Sequence, residues 1–266
     1  DYDANPPKTV DQFMADMETI KTAGYLPIVA GDGGWGEAFF VAYATWWVQA
    51  SGSDRVASNS QGLTKYADDQ GFLTAVQTGA DLYAKGYVNT DYATIQSPIE
   101  SFLEGNTALI ATGNWNTSAA IEGLGEENVG FLNPPDIGGD VKVSNTCIGG
   151  PGQALVVSKA SPNQDLAVSF LSFMSNQANM TAINKAQSKM ALRTDINAAD
   201  LGIKESGAFY QEFVAAQNYV FWADNSTVPD VNAELQKQSP LVLTGKMTVA
   251  DFAAMLDAKA AEVAGK

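Results

Sequence analysis

Residues 97–120 constrain the fold more than any other stretch, because they run from a helix start through a strand to a second helix start without a spacer. Ser97-Pro98-Ile99-Glu100 has the form of a capping box with proline at the first helical position. The short helix it opens carries Ile99, Phe102 and Leu103 on one side and stops at Gly105. Residues 107–112 then read as a short apolar strand closed by Gly113. Asn114-Trp115-Asn116 follows, a large aromatic between two amides, ahead of a Thr/Ser/Ala segment suited to another helix. A tryptophan held where a buried strand gives way to a helix is a stacking surface.

The rest of the chain alternates in the same way. Thr9-Val10-Asp11-Gln12 is a second capping box, and Val10, Phe13, Met14, Met17 and Ile20 recur at helical spacing up to Gly24. Residues 26–30 read as a buried strand, and Gly31-Asp32-Gly33-Gly34-Trp35-Gly36 then breaks the pattern. Glycines ahead of a helix can present N–H groups to an anion, but the Lys-Ser/Thr pair of a P-loop and the dinucleotide spacing are both missing. What remains is a turn carrying Asp32 and Trp35 at the mouth of a helix over 37–50, whose Trp46 and Trp47 read as core. Residues 51–69 read as a polar loop, and 71–85 as a helix with Phe72, Val76, Leu82 and Tyr83 inward.

Further on, 128–132 reads as a strand, followed by a rigid Asn133-Pro134-Pro135 loop in which Asp136 offers the polar chemistry. Residues 146–149 and 153–158 read as strands around a Gly-Pro-Gly break, where glycine lets the backbone approach a ligand or hinge. Ser161-Pro162-Asn163-Gln164 is a third capping box, before a helix whose Leu166, Phe170, Leu171, Phe173 and Met174 form one broad apolar face. Met180, Ile183 and Asn184 mark a shorter helix, and 206–218 another. Tyr219-Val220-Phe221-Trp222 leads into the polar turn Ala223-Asp224-Asn225-Ser226-Thr227. Residues 231–242 read as a helix with Pro240 as a kink or break, and Thr248-Val249-Ala250-Asp251 opens the last helix.

Composition removes whole classes of chemistry. The chain has no histidine, which excludes His-assisted nucleophiles, His general bases and His metal ligands together. Its single cysteine, Cys147, has no partner for a disulfide or a thiolate site and reads as a small buried residue. A net charge of −15, with no basic patch, opposes nucleic acid and anionic membrane surfaces. Arg55 and Arg193 are the only arginines, which disfavours a clamped anionic ligand. The longest apolar-rich run, 38–48, is too short to span a bilayer. With 266 residues the chain can hold a sizeable core and two domains. It opens at Asp1 without methionine or leader, so processing or trimming is expected and a cytoplasmic location is not implied.

Phe102, Gly105, Ala108, Leu109, Gly113 and Trp115, spaced as Phe-x-x-Gly-x-x-Ala-hydrophobic-x-x-x-Gly-x-Trp, resemble the extracellular solute-binding proteins of sugar ABC transporters, the group that includes maltose-binding protein. Three further segments match in the family's order: 8–24 leading into Tyr25-Leu26-Pro27-Ile28, Gly149-Gly150-Pro151-Gly152-Gln153 into 154–163, and Gly245-Lys246-Met247-Thr248. The resemblance implies an α/β fold, a periplasmic-binding-protein-like lobe of mixed sheet flanked by helices, plus a partial second lobe. It assigns 1–145 and 204–266 to the second (C-terminal) lobe and 146–203 to a returning segment of an incomplete first (N-terminal) lobe. That segment is expected to pack on its own second lobe or on a neighbouring copy, the alternative being abnormally exposed apolar side chains.

What the resemblance implies about function is ligand capture, which needs no general base. Neutral sugars are held by aromatic faces together with amides and carboxylates that bond the hydroxyls. The ligand-binding residues expected are Trp115, Asn114, Trp35, Asp32, Gly150, Gln153, Asp224 and Asn225, with no catalytic residue, metal or cofactor. The partners implied are a sugar or oligosaccharide and an ABC transporter membrane permease, with homo-association through the incomplete lobe and no nucleic acid. The location implied is extracellular or periplasmic, with lipoprotein anchoring in the full-length form. Competing readings are a glycoside-processing enzyme that uses two of the 30 carboxylates, a binder of a non-sugar solute, or an interaction module whose aromatics only pack.

Overall fold

The computed structural model describes residues 5–31, 43–139, 141–142, 147–149, 155–187, 193–201 and 219–265. In chain order the described elements are α1 (Val10–Thr22), β1 (Leu26–Val29), α2 (Thr45–Ser51), α3 (Ser53–Ser60), α4 (Gln70–Ala84), α5 (Pro98–Leu103), β2 (Thr107–Ile110), α6 (Thr117–Leu124), β3 (Cys147–Gly149), α7 (Gln164–Met174), α8 (Gln177–Ala186), α9 (Ala198–Leu201), β4 (Tyr219–Phe221), α10 (Ala223–Ser226), α11 (Pro229–Leu243) and α12 (Val249–Ala264). Contacts group Asp1–Thr112, Leu132–Gly149 and Tyr219–Lys266 into a first unit, and Gly113–Phe131 with Gly150–Asn218 into a second.

Among its described residues the first unit contains two parallel strand pairs. β1 pairs with β2 in the register Leu26↔Thr107, Ile28↔Leu109, Val29↔Ile110, and Ile28 also bridges Val88. Parallel strands need a long crossover, and the chain from α2 to α5 supplies it. β3 pairs with β4 as Cys147↔Tyr219, Ile148↔Val220 and Gly149↔Phe221. The helix over 206–218 falls outside the described residues.

Around the strands sits an aromatic core. Phe72 of α4 meets Trp47 at 5.0 Å and Tyr66 at 5.1 Å between ring centres, and stacks on Phe252 of α12 at 5.8 Å. Trp46 and Trp47 are both buried, as their helical spacing predicts. The start of α4 crosses the end of α2 so closely that a Cβ on Gly71 would lie 2.8 Å from the Ala50 Cβ and 3.2 Å from its backbone carbon. Only glycine fits there.

Asp69, the N-cap of α4, ties this core together. Its carboxylate accepts from Trp47 Nε1 (3.1 Å), Ser51 Oγ (2.6 Å), Asn59 Nδ2 (2.7 Å) and the Phe72 N–H (3.1 Å). A buried carboxylate supplied with this many donors is fully solvated by the protein. Burial raises the Tyr43 and Tyr66 phenols well above their usual range. Tyr43 shares a 2.5 Å hydrogen bond with Ser239 Oγ, whereas the Tyr66 hydroxyl is buried without a partner.

Several local expectations are corrected. At the start of α1 Thr9 Oγ1 accepts the Gln12 N–H at 3.2 Å, while Gln12 Oε1 accepts the Lys8 N–H at 2.8 Å rather than that of Thr9. At α5 Pro98 is the first helical residue, but the Ser97 side chain makes no cap; its backbone carbonyl takes the Glu100 N–H instead. α7 starts at Gln164 behind Asn163, because Ser161 Oγ accepts the Asn163 N–H at 3.2 Å in a local turn that competes with the cap. The polar stretch 51–69 is not a loop: it contains α3, whose Asn59 and Ser60 face inward to bond Asp69 and the Val228 N–H. The strand over 128–132 is absent. A 3-10 turn at Glu126–Asn128 precedes Val129, and the Asn128 and Val129 N–H groups bond Gly125 and Glu126 locally. α11 continues through Pro240 rather than breaking there.

Among its described residues the second unit has little core. Ile196 and Leu201 are buried with Met180 packed against them, and α7 packs on α8 while burying none of its own residues. Leu166 is 70% exposed, Phe170 55% and Phe173 61%, and Val156 before them is 87% exposed. Within a single chain these apolar side chains are thus exposed. Residues 155–158 form no strand. Leu155, Val168, Leu171, Met174 and Met180 line an open apolar groove of about 430 Å³.

Candidate functional site

Trp115 is reached directly from the sheet. The Ala111 N–H bonds the Val29 carbonyl at 3.0 Å, so the β1–β2 ladder runs one residue past β2. The chain then enters the second unit at Gly113 and makes a 3-10 turn over Asn114–Asn116, with the Asn116 N–H bonding the Gly113 carbonyl at 3.3 Å. α6 begins at the next residue, Thr117. Trp115 is 38% exposed on this turn, with Asn114 before it and half-buried Asn116 after it. The strand-to-helix passage of the sequence analysis is thus present, and its aromatic is at the surface.

Because β1 and β2 are parallel, their C-terminal ends share one sheet edge, where ligands of open α/β sheets bind. Past β1, the Ala30 N–H is capped by the buried Asn89 side chain at 2.8 Å, and Gly31 is wedged against Pro98 and Ile95. Asp32 and Trp35, the next expected site residues, lie outside the described residues.

The second strand pair is built the same way. The Gly149 carbonyl accepts the Trp222 N–H at 2.9 Å, and the Trp222 carbonyl accepts the Asn225 N–H at 2.9 Å. Asp224 and exposed Asn225 therefore sit on the one-turn α10 that leaves the C-terminal end of β4, anchored by fully buried Ala223. Gly150 and Gln153, expected beyond the parallel end of β3, lie outside the described residues. Within the first unit this ladder brings Gly149 beside the 222–225 turn. Trp115 and Asn116 belong to the second unit.

Both arginines are engaged within the protein. Arg193 forms a two-pronged pair with Asp195 at 2.7 and 2.6 Å and donates to the Ser175 carbonyl at 2.7 Å. Hydrogen bonding between the two holds the Asp195 carboxyl below its usual range and raises Arg193. Arg55 donates to the Lys65 carbonyl and lies 3.8 Å from Asp69. Among the described residues no group of three or more His, Cys, Asp or Glu could hold a metal ion, and no helix is long and apolar enough to cross a membrane. Asn116 and Asn89 are missing from the residues expected from sequence. The amide flanking Trp115 was legible in the motif itself, whereas the Asn89 cap joins positions far apart in the chain.

The profile of a bacterial extracellular solute-binding protein family matches residues 1–181. No curated protein sequence matches the chain. Among solved structures, a chitin oligosaccharide binding protein superimposes with a TM-score of 0.80 at 22% identity, over 98% of this chain and 65% of that one. A solute-binding protein, RafE, in complex with raffinose gives 0.71 at 16% identity, over 97% and 66%. A sugar transporter from Bacillus licheniformis in complex with stachyose gives 0.69 at 17% identity, over 96% and 66%. The chain thus has the fold of these proteins and spans about two thirds of their length.

Proposed function

This chain belongs to the bacterial extracellular solute-binding protein family, a family of binding proteins rather than enzymes, and on that premise we propose that it captures a neutral sugar or oligosaccharide for an ABC importer. The observation that carries the reading is Trp115: a half-exposed indole between two amides, at the turn where a parallel strand hands over to a helix. An aromatic face packs against the C–H face of a pyranose, and amides bond its hydroxyls. The net charge of −15 and the structural engagement of both arginines favour a neutral ligand over an anionic one. The sugars named for the similar structures, chitin oligosaccharide, raffinose and stachyose, set the first panel to try.

The site consists of Trp115 and Asn114, Trp35 and Asp32, Gly150 and Gln153, and Asp224 and Asn225, with no cofactor. Parallel pairing supports it, since the C-terminal ends of β1 and β2 lie at the same end of their pair, as do those of β3 and β4. Residues 1–145 and 204–266 are the second lobe, and 146–203 is the returning part of the first. The second unit, which holds Gly150–Asn218 together with Gly113–Phe131, overlaps that returning part. The open face of α7 is where the remainder of a first lobe packs. The protein works outside the cytoplasm as an anchored lipoprotein and delivers its sugar to a membrane permease.

Titration calorimetry of the natural full-length protein against raffinose, stachyose and chitin oligosaccharides tests the proposal. One of them should bind, and Trp115→Ala should weaken it about tenfold, or about 1.4 kcal/mol. Failure of the whole panel, or an affinity indifferent to Trp115→Ala, would overturn the reading.

A further inference from the structure

We propose that Gly113 is the seat of the Trp115 indole, a positioning residue that fixes which face of the ring a ligand can meet; this rests on the reading of Trp115 as the stacking platform. A Cβ placed on Gly113 would lie 2.0 Å from Trp115 Cζ3, 2.3 Å from Cη2 and 2.4 Å from Cε3. Carbon atoms in contact sit about 3.5–4.0 Å apart, so no side chain can share this space with the ring. The three atoms are consecutive around the six-membered ring and nearly equidistant from the point. Approach in the ring plane would put the two flanking carbons much farther away than the central one. The Cβ direction of Gly113 therefore points into the flat of the indole, and the ring lies over the backbone.

It is the ring, and not the chain's dihedral angles, that takes the place of a side chain at Gly113. Gly105 and Gly125 take positive φ values of 77° and 86°, whereas Gly113 is not in that left-handed region. The seat is also tied to the turn that carries the ring, since the Gly113 carbonyl accepts the Asn116 N–H at 3.3 Å. Glycine, turn and ring thus form one unit in which the indole cannot settle further inward. The face laid on Gly113 is closed to a ligand.

Gly113→Ala should push the ring off its seat. The emission of Trp115, isolated as the difference between the parent and Trp115→Phe, should shift to the red in the Gly113→Ala background and become more accessible to acrylamide. The urea midpoint should fall on Gly113→Ala in the parent chain and stay unchanged when the same substitution is made in Trp115→Ala, which has no ring to displace. That second background also guards against a variant that merely fails to fold. An unchanged Trp115 emission, or an equal fall in both backgrounds, would overturn the seat. If both tests hold while affinity for raffinose, stachyose and chitin oligosaccharides is indifferent to Trp115, the seat stands and the stacking reading alone is overturned.

Discussion

Helices α4 and α7 present similar apolar faces, yet α4 buries Phe72, Ala75, Val76 and Leu82 while α7 buries nothing. α4 is enclosed by α2, α11 and α12 of its own unit. α7 has α8 on one side and shows Leu166, Phe170 and Phe173 to solvent on the other. A stripe of apolar residues at helical spacing says that a helix requires a cover; it does not say which part of which chain provides one. The aromatic hub around Phe72 and the open groove beside α7 are two outcomes of one sequence signal.

The largest effects should separate these two faces. Phe72→Ala should lower stability by about 3–5 kcal/mol, since four aromatic rings lose their common neighbour and a cavity remains. Phe173→Ala, at a site 61% exposed, should change it by less than about 0.5 kcal/mol. Urea denaturation of both variants makes the comparison. A cost at Phe173 approaching that at Phe72 would mean that the α7 face is covered in solution, and sedimentation would then show whether a second copy covers it.

Asp69 should come next. Asp69→Ala leaves donors of Trp47, Asn59 and the α4 N-terminus without their acceptor, at a cost of about 2–3 kcal/mol. The second unit offers a contrast in Asp195, whose pairing with Arg193 is exposed, and Asp195→Ala should change stability little. Equal losses at the two aspartates, read from the same urea curves, would erase the distinction between buried hub and surface pair.

What the sequence made legible follows the reach of its signals. Phe13 and Met17 of α1, and Trp46 and Trp47, could be placed inside because periodicity acts over one or two turns. α3 was hidden because its inward face is Asn59 and Ser60, polar residues whose partners Asp69 and Val228 are distant in sequence. Val129 suggested a strand, but the local 3-10 turn had already taken its N–H group. At the site, the Gly-x-Trp spacing announced an aromatic on a turn. That the ring lies flat on Gly113 depends on side-chain torsions, which spacing does not encode.

The smallest expected effect probes how closed the first unit is. The Tyr66 hydroxyl is buried without a hydrogen-bond partner, so Tyr66→Phe removes an unpaired polar atom and leaves the ring contacts with Trp47 and Phe72 in place. At pH 7 the variant should equal or exceed its parent by up to about 1 kcal/mol. Alkaline conditions should widen the gap. Burial, with the Asp257 and Asp69 charges nearby, raises the Tyr66 pKa in the folded state. The folded state therefore holds a proton that the unfolded chain releases above its own pKa of about 10. The parent's stability is fully present below that pH and falls as pH rises beyond it, by up to about 1.4 kcal/mol per pH unit from this one group. Phenylalanine has no such proton, so the variant loses stability less steeply. Urea curves of both proteins at pH 7, 10 and 11 measure the difference; parallel pH dependence would mean that Tyr66 is hydrated, and that the first unit is less sealed than its contrast with α7 implies.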